Sequence, residues 1–389
     1  MKEAFRYLCM ILSPWTAKTI KGSIPLIQEA TYRWQGLYQT AEVQWCPPFI
    51  YEVLREHDCL DSLPGHIRNQ LRSDCLENRL RNQLLKTELV VILQQFQQAG
   101  IAVVLLKGAS SFADALYGSL GARTMLDLDL LVKPDKIETA RSLFIKSGYE
   151  EIFDEGNVLT GLPIDHRHAH INGYRKPGTP VIVELHYNIA YGQGGRILPA
   201  EDGWQHTTEA AVNGIPALIL NPTYRLLHNT VHGLIPSCDY IKGRIRLWHL
   251  LEFAYLVKRY NNEIDWQAWL DAAAMENQTT AFLAWLLLAN KLLAMPLPEG
   301  IPIGFWPRLQ SERLESATLL QDWGSGKSIN DRLPWLDRLC LLLHRGYYFC
   351  HLPAWVWRNV CYAEGWRNLP VRVGYFIRKV FSGRSWGKV

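Results

Sequence analysis

Hydrophobic spacing changes character twice along the chain. From Leu63 to Gly100, leucines recur at helical intervals (Leu71, Leu76, Leu80, Leu84, Leu85) among Arg, Asn, Gln and Glu. This predicts a long helix that stops at the glycine. Pro47-Pro48 breaks an earlier helical stretch, so residues 1–99 read as a helical region. The similar pieces Arg68-Asn69-Gln70-Leu71 and Arg81-Asn82-Gln83-Leu84 read as an amphipathic coincidence rather than a solenoid. After Gly100 the pattern shortens. Ile101–Leu106 is a continuous apolar run, the pattern of a strand buried on both faces. Lys107-Gly108-Ala109-Ser110 follows, then a short helix over Ser111–Tyr117. Leu126–Val132 and Val181–Tyr187 predict two further strands. Between them Lys133-Pro134-Asp135 opens a helix that runs to about Ser147 and stops at Gly148. Residues 100–200 therefore form a small α/β unit. Beyond residue 200 the spacing is again helical: a helix capped by Asn221 through His232, then Arg244–Tyr260, Trp266–Met275 and Ala281–Met295.

Composition narrows the class. The chain has 389 residues, enough for two or three compact units, and 48% of them are hydrophobic, enough for a sizeable core. A net charge of +4 does not call for a nucleic-acid partner. The 15 tryptophans suit helix–helix contacts or aromatic-lined grooves, core packing being the simpler use. Eight cysteines are scattered without paired spacing, which argues against a zinc ribbon or disulfide framework and for reduced thiols in a cytoplasmic protein. Tyr7–Leu12 is too short for a secretory segment, and Asn290 and Lys291 interrupt the apolar run Ala281–Met295 before spanning length.

The candidate chemistry centres on Arg123–Val132. In a strand, Asp127 and Asp129 share one face while Leu128 and Leu130 share the other. Like charges so close repel unless a cation sits between them, and Mg²⁺ binds through carboxylates and substrate phosphates. A strand end with solvated acids would give the same D-x-D, so its surroundings decide. Glu184 is an acid inside an apolar strand, costly to bury unpaired. An arginine partner would satisfy it; a shared metal would account for all three acids. Lys107–Ser110 forms a strand-to-helix turn whose helix end favours phosphate. Together these features suit two-metal phosphoryl transfer.

Three pieces carry a family resemblance: Leu105-Leu106-Lys107-Gly108, the stretch Tyr117-Gly118-x-x-Gly121-x-Arg123-x-Met125-x-Asp127-Leu128-Asp129-Leu130-Leu131-Val132, and Val183-Glu184-Leu185-His186. The chain resembles nucleotidyltransferases of the DNA polymerase β type, and more narrowly the bacterial uncharacterised nucleotidyltransferases. The motifs span about 100–190, with weaker likeness to about 295; the middle piece is the specific one. The resemblance implies an α+β protein, with a small polymerase-β-like core (mixed sheet with helices) at 100–200 flanked by helical regions at 1–99 and 201–389. It implies Asp127, Asp129 and Glu184 as catalytic and metal residues, with Mg²⁺ (or Mn²⁺) as cofactor. It also implies Lys107, Gly108, Ser110 and Arg123 as nucleotide contacts. The expected substrate is an NTP, often ATP, with an acceptor that is a small molecule, a peptide or a saccharide. Such families often stand beside bacterial peptide- or polysaccharide-modifying enzymes, in biosynthetic clusters. Two departures stand out: Ser110 falls one place later than in the wider superfamily's Gly-Ser turn, and the loop to Asp127 is long. They keep a rival in view, a silent nucleotide- or protein-binding module on the same fold.

Other residues are weighed beside these. His186 shares the face of Glu184 and either orients it or is an ordinary core histidine. His166, His168 and His170 alternate in a Gly-rich segment and suit a solvated site edge better than a zinc site. His228 and His232 are one helical turn apart with no evident third ligand, so packing is their simplest role. Arg244 and Arg246 precede a helix and read as a solvated face. The tail from Arg358 carries Arg372, Arg378, Lys379 and Arg384 among Tyr375, Phe376 and Phe381. That suits a helical lid first, and peripheral contact with anionic lipid or nucleic acid second.

Overall fold

The computed structural model describes residues 2–16, 31–152, 169–235, 239–243 and 245–320. Its helices, in order, are α1 Lys2–Leu12, α2 Thr31–Val43, α3 Pro47–Glu56, α4 Gly65–Gln98, α5 Ser111–Asp114, α6 Ile137–Lys146, α7 Gln193–Ile197, α8 Ala200–Gln205, α9 Pro222–Leu234, α10 Asp239–Lys242, α11 Leu247–Tyr260, α12 Trp266–Met275, α13 Thr279–Leu293 and α14 Phe305–Leu320. The strands are β1 Val103–Leu105, β2 Asp127–Val132, β3 Glu150–Ile152, β4 His170–Arg175, β5 Ile182–His186, β6 Thr207–Val212 and β7 Ile215–Leu220. They form one mixed sheet, ordered β3-β4-β5-β2-β1-β7-β6. At its centre β2 runs antiparallel to β1 and parallel to β5.

The period of two sorts the sheet's side chains onto two cores. Leu128, Leu130 and Val132 face one way with Val103, Leu105, Val183 and Leu185. They pack on the C-terminal half of α4 (Leu85, Leu89, Ile92, Phe96) and on α6 (Ile137, Ala140, Phe144). Val104, Leu106 and Leu131 face the other way, into a larger core built mostly from helices. Trp34, Trp269 and Trp285 are fully buried there, the helix-contact role expected of them. Among the described residues no helix is long and apolar enough to cross a membrane.

Three local expectations change. The structure adds β6 and β7 where the spacing past residue 200 reads as helical. Val212 pairs with Ile215, leaving a two-residue loop of Asn213 and Gly214, both at positive φ. This is the Asn-Gly hairpin turn, whose mirror-type twist matches its strands. The helix after Lys107–Ser110 is one turn, Ser111–Asp114, too short to build the macrodipole expected at that point. On α4, Leu71 and Leu85 are buried, but Leu76, Leu80 and Leu84 are exposed. The inward positions between the two halves belong to Cys75, Asn78 and Asn82.

Candidate active site

Asp129 lies directly opposite Glu184 in the parallel β2–β5 pair, and Leu131 opposite His186. Asp127 and Asp129 therefore share a face with Glu184 and His186. Asp129 is 2% exposed. Its Oδ1 accepts from Lys107 Nζ at 2.6 Å and from His186 Nε2 at 2.9 Å. His186 Nε2 also lies 3.3 Å from Glu184 Oε2, and His170 Nε2 lies 3.6 Å from the same oxygen. One ligand atom each from Asp129, Glu184 and His186 falls within 4.8 Å of the others.

Electrostatics separates the two aspartates. Burial would raise Asp129, but Lys107 and His186 outweigh it and hold the carboxyl well below the usual range. Asp127 feels the same two cations only through their charge, which is not enough. Burial, then the charge of Asp129, pushes it up to about 7. Burial would raise Glu184 too, yet the hydrogen bond from His186 brings it below its ordinary value. His186 itself is depressed by burial and more than restored by its bonds to Asp129 and Glu184. It serves the two carboxylates as a donor.

The loop before β2 is built to hold Arg123. Asn78 Nδ2 donates to the carbonyls of Gly121 (2.8 Å) and Arg123 (2.9 Å); Asn82 Nδ2 donates to those of Leu120 and Arg123, both at 2.7 Å. That is the reason the inner face of α4 is polar here. Beneath the loop, buried Glu52 accepts from Arg55 at 2.9 and 2.8 Å and from Arg79 at 2.5 Å. A Cβ at Gly121 would stand 2.8 Å from the Glu52 carboxylate and 3.0 Å from the Cys75 sulfur, so a larger residue would have to displace the ion-paired Glu52. Arg123 pairs with Glu252 of α11, donates to the Tyr117 hydroxyl at 3.0 Å and lies over the Trp248 ring at 4.8 Å. Gly108 lets the turn approach closely, since a Cβ would come 2.6 Å from the Met125 sulfur.

A cleft opens between that turn and helices α9 and α11. It encloses about 20 Å³ and spans about 370 Å³ with its open mouth. Lys107, Ser110, Arg123, Arg225, His228, Asn229, His232, Trp248, His249 and Glu252 supply its polar and aromatic lining. Ser110 Oγ donates to the Lys107 carbonyl at 2.7 Å. Arg225 is buried and paired with Asp114, which also accepts from Tyr260 at 2.8 Å.

The family described as "Uncharacterised nucleotidyltransferase" matches residues 31–294. This chain is a member of that family. No curated protein matches it. A crystal structure of an antigenic nucleotidyltransferase-like protein from Paracoccidioides brasiliensis is 18% identical, with a TM-score of 0.33, over 55% of this chain and 93% of that one.

In this nucleotidyltransferase-family chain the fold gathers Lys107, Asp127, Asp129, Glu184, His186 and His170 at one place on the sheet, while Ser110 and Arg123 line the adjoining cleft and Gly108 sits in the turn between Lys107 and Ser110. His166, His168, Arg244 and the basic tail lie outside the described residues. His228 and His232 line the cleft beside His249, whose ring lies 4.8 Å from that of His232. Among the described residues these three do not form a metal cluster. Sequence reasoning passed over Arg225, Asn229, Glu252 and Glu52. A signal for the first two was present: Arg225, His228, Asn229 and His232 follow i, i+3, i+4, i+7, a polar stripe on a helix whose other positions are apolar apart from Thr223, Tyr224 and Thr230.

Proposed function

We propose that this chain transfers a nucleoside monophosphate from an NTP to an acceptor hydroxyl or phosphate in a polymerase-β-type site, releasing pyrophosphate. The observation that carries the reading is the pairing of Asp129 with Glu184 on adjacent parallel strands, Asp127 on the same face, beside a cleft lined by Lys107 and Arg123. The residues fit a divalent cation: three acids share one face of the sheet, Asp127 is raised by burial and then by the charge of Asp129, and the Lys107 ammonium already serves Asp129 as a counter-cation. Asp127, Asp129 and Glu184 would hold Mg²⁺, or Mn²⁺ in its place. Such ions neutralise the reacting phosphate and acidify the attacking hydroxyl.

The acceptor oxygen bonds to the α-phosphorus, the bond to the β-phosphate oxygen breaks, and pyrophosphate leaves. Glu184 orients the acceptor hydroxyl and takes its proton. His186 positions both carboxylates as their common donor. Lys107, Gly108, Ser110 and Arg123 border the space for the triphosphate, with His170 at the site edge. The core is assigned to residues 100–200 between helical regions at 1–99 and 201–389, and the hairpin β6–β7 extends its sheet. We place the protein in a bacterial cytoplasm, with a small molecule, peptide or saccharide as acceptor and no nucleic-acid partner.

Calorimetry of each of the four NTPs, with and without Mg²⁺, tests the reading on wild type and on the double variant Asp127→Asn/Asp129→Asn. Metal-dependent binding confined to wild type is expected; equal binding by the variant removes these acids from the site. One observation favours a second reading. The Ser110 hydroxyl is turned back onto the Lys107 carbonyl, which suits a silent binding module. Tight NTP binding without pyrophosphate release across many acceptors would establish that module instead.

A further inference from the structure

Arg225, His228 and Asn229 are spaced i, i+3, i+4 on α9, so they share one side of that helix and line the cleft together. Arg225 and Asn229 are each 6% exposed and His228 is 4% exposed. Buried polar groups nearly always find partners, because an unmade hydrogen bond in the interior is costly. Among the described residues, four atoms of the lining have none: Arg123 Nε, Arg225 Nη2, His228 Nε2 and Asn229 Oδ1. The two guanidinium atoms donate. The other two accept. His228 is hydrogen-bonded to the backbone of Ile189, and because its Nε2 is unpartnered that bond is made by Nδ1. A carbonyl only accepts, so Nδ1 carries the proton and Nε2 presents a bare lone pair. Burial, then Lys107, drops the ring to about 3, so it is neutral at neutral pH. Charge at this end of the cleft is balanced as well. Lys107 is paired with Asp129, Arg123 with Glu252 and Arg225 with Asp114. A phosphoryl group has no hydrogen to offer the two acceptors. The enclosed end holds about 20 Å³, a little above the roughly 10–15 Å³ that a single water needs. It admits one oxygen that both donates and accepts.

We propose that the α9 end of the cleft recognises an uncharged vicinal diol. One hydroxyl enters the enclosed end, accepts from Arg225 Nη2 and Arg123 Nε, and donates to His228 Nε2 or Asn229 Oδ1. The neighbouring hydroxyl, in the open part of the cleft, donates to the acceptor that remains. All four unmade bonds are then made by one neutral group. Glu252 and Asp114 hold the two guanidiniums in place, so little side-chain entropy is lost on binding. A site built to bond a hydroxyl discriminates strongly against an analogue that lacks it, because its own polar atoms are then left unpaired. The inference deepens the transferase reading and rests on it for the molecule that carries the diol. That molecule could be a sugar-bearing acceptor or the ribose of the NTP, and the same four atoms serve both.

Two measurements on the full chain test it. Saturation-transfer NMR follows D-ribose, D-glucose and glycerol, with and without Mg²⁺–NTP. Calorimetry compares an NTP with its 2′-deoxy and 3′-deoxy forms. Wild type is set beside three variants, each checked by thermal unfolding. Asn229→Leu keeps a branched side chain without Oδ1, and His228→Asn keeps a donor for Ile189 without the lone pair. Each weakens diol binding roughly tenfold or more. Asn229→Asp, which leaves an acceptor in place, retains it. Polyol binding that persists beside bound NTP assigns the subsite to the acceptor. A loss of affinity for the deoxy forms that is seen in wild type and vanishes in Asn229→Leu assigns it to the ribose. Folded Asn229→Leu and His228→Asn variants that behave as wild type overturn the proposal. So does a wild type that neither binds a polyol nor distinguishes the deoxy forms. Polyol binding with no NTP binding at all keeps the subsite and sinks the transferase reading.

Discussion

Replacing Glu52 by glutamine tests how the loop before β2 is held. The Glu52 side chain is 4% exposed and receives hydrogen bonds from Arg55 and Arg79. Burial raises its proton affinity, but bonds from Ser119, Arg55, Arg79 and Cys75 outweigh that and bring it from 4.5 to about 2. That drop corresponds to about 3 kcal/mol of stability at neutral pH. The folded value lies below the unfolded one, so the contribution is complete above about 4.5 and is lost as pH falls towards 2. At pH 3 about 1.4 kcal/mol should remain. Arg55 and Arg79 are half exposed, so water takes over part of their solvation in the variant and the observed loss should fall short of the full figure. Urea unfolding of wild type and Glu52→Gln at pH 7, 4.5 and 3 measures it. The expected result is a deficit of about 2–3 kcal/mol at pH 7 that shrinks by about half at pH 3. A variant as stable as wild type at pH 7, or a deficit independent of pH, refutes the reasoning.

Two further substitutions follow from the same region, and one from the tail. Gly108→Ala forces its Cβ against Met125 and within 3.2 Å of Arg123 Nε; nucleotide affinity should fall severalfold, and Met125→Ala should restore part of it. Asn82→Ala leaves the carbonyls of Leu120 and Arg123 without their donor; chemical denaturation should show a loss of about 1–3 kcal/mol. Removal of residues 358–389 should abolish sedimentation with anionic liposomes if the basic tail meets lipid, and leave NTP binding intact.

That Asp127 and Asp129 share one face of a strand was legible in the sequence, because a strand's period is two and an apolar run follows Asp-Leu-Asp. Glu184 was legible for the same reason, standing between Val183 and Leu185. The helix Trp266–Met275 and the cap at Asn221 were equally plain, since apolar spacing and a capping side chain are local. What escaped were groups whose value depends on distant partners. Asn78 and Asn82 look like solvent-facing positions until loop carbonyls are placed beside them, and the helical spacing of Leu76, Leu80 and Leu84 does not say that these leucines face solvent. Glu252 resembles any acid on an amphipathic helix until Arg123 meets it. The hairpin β6–β7 was a different failure: Asn213-Gly214 is a strong local signal, and it was overlooked beside the surrounding helical spacing.

The pairing of Arg123 with Glu252 spans 129 residues, and that of Arg225 with Asp114 spans 111. Both pairs are buried, so each side is an uncompensated charge until the other arrives. A polypeptide emerging from the ribosome would therefore carry the three acids long before it could complete the cleft beside them. Closure of such long loops comes late in folding, after local helices and the β1–β2 pair. Residues 100–200 excised as a minimal catalyst would expose two arginine–carboxylate half-pairs rather than a working site. Grafting this core onto another scaffold means carrying α9 and α11 along with it.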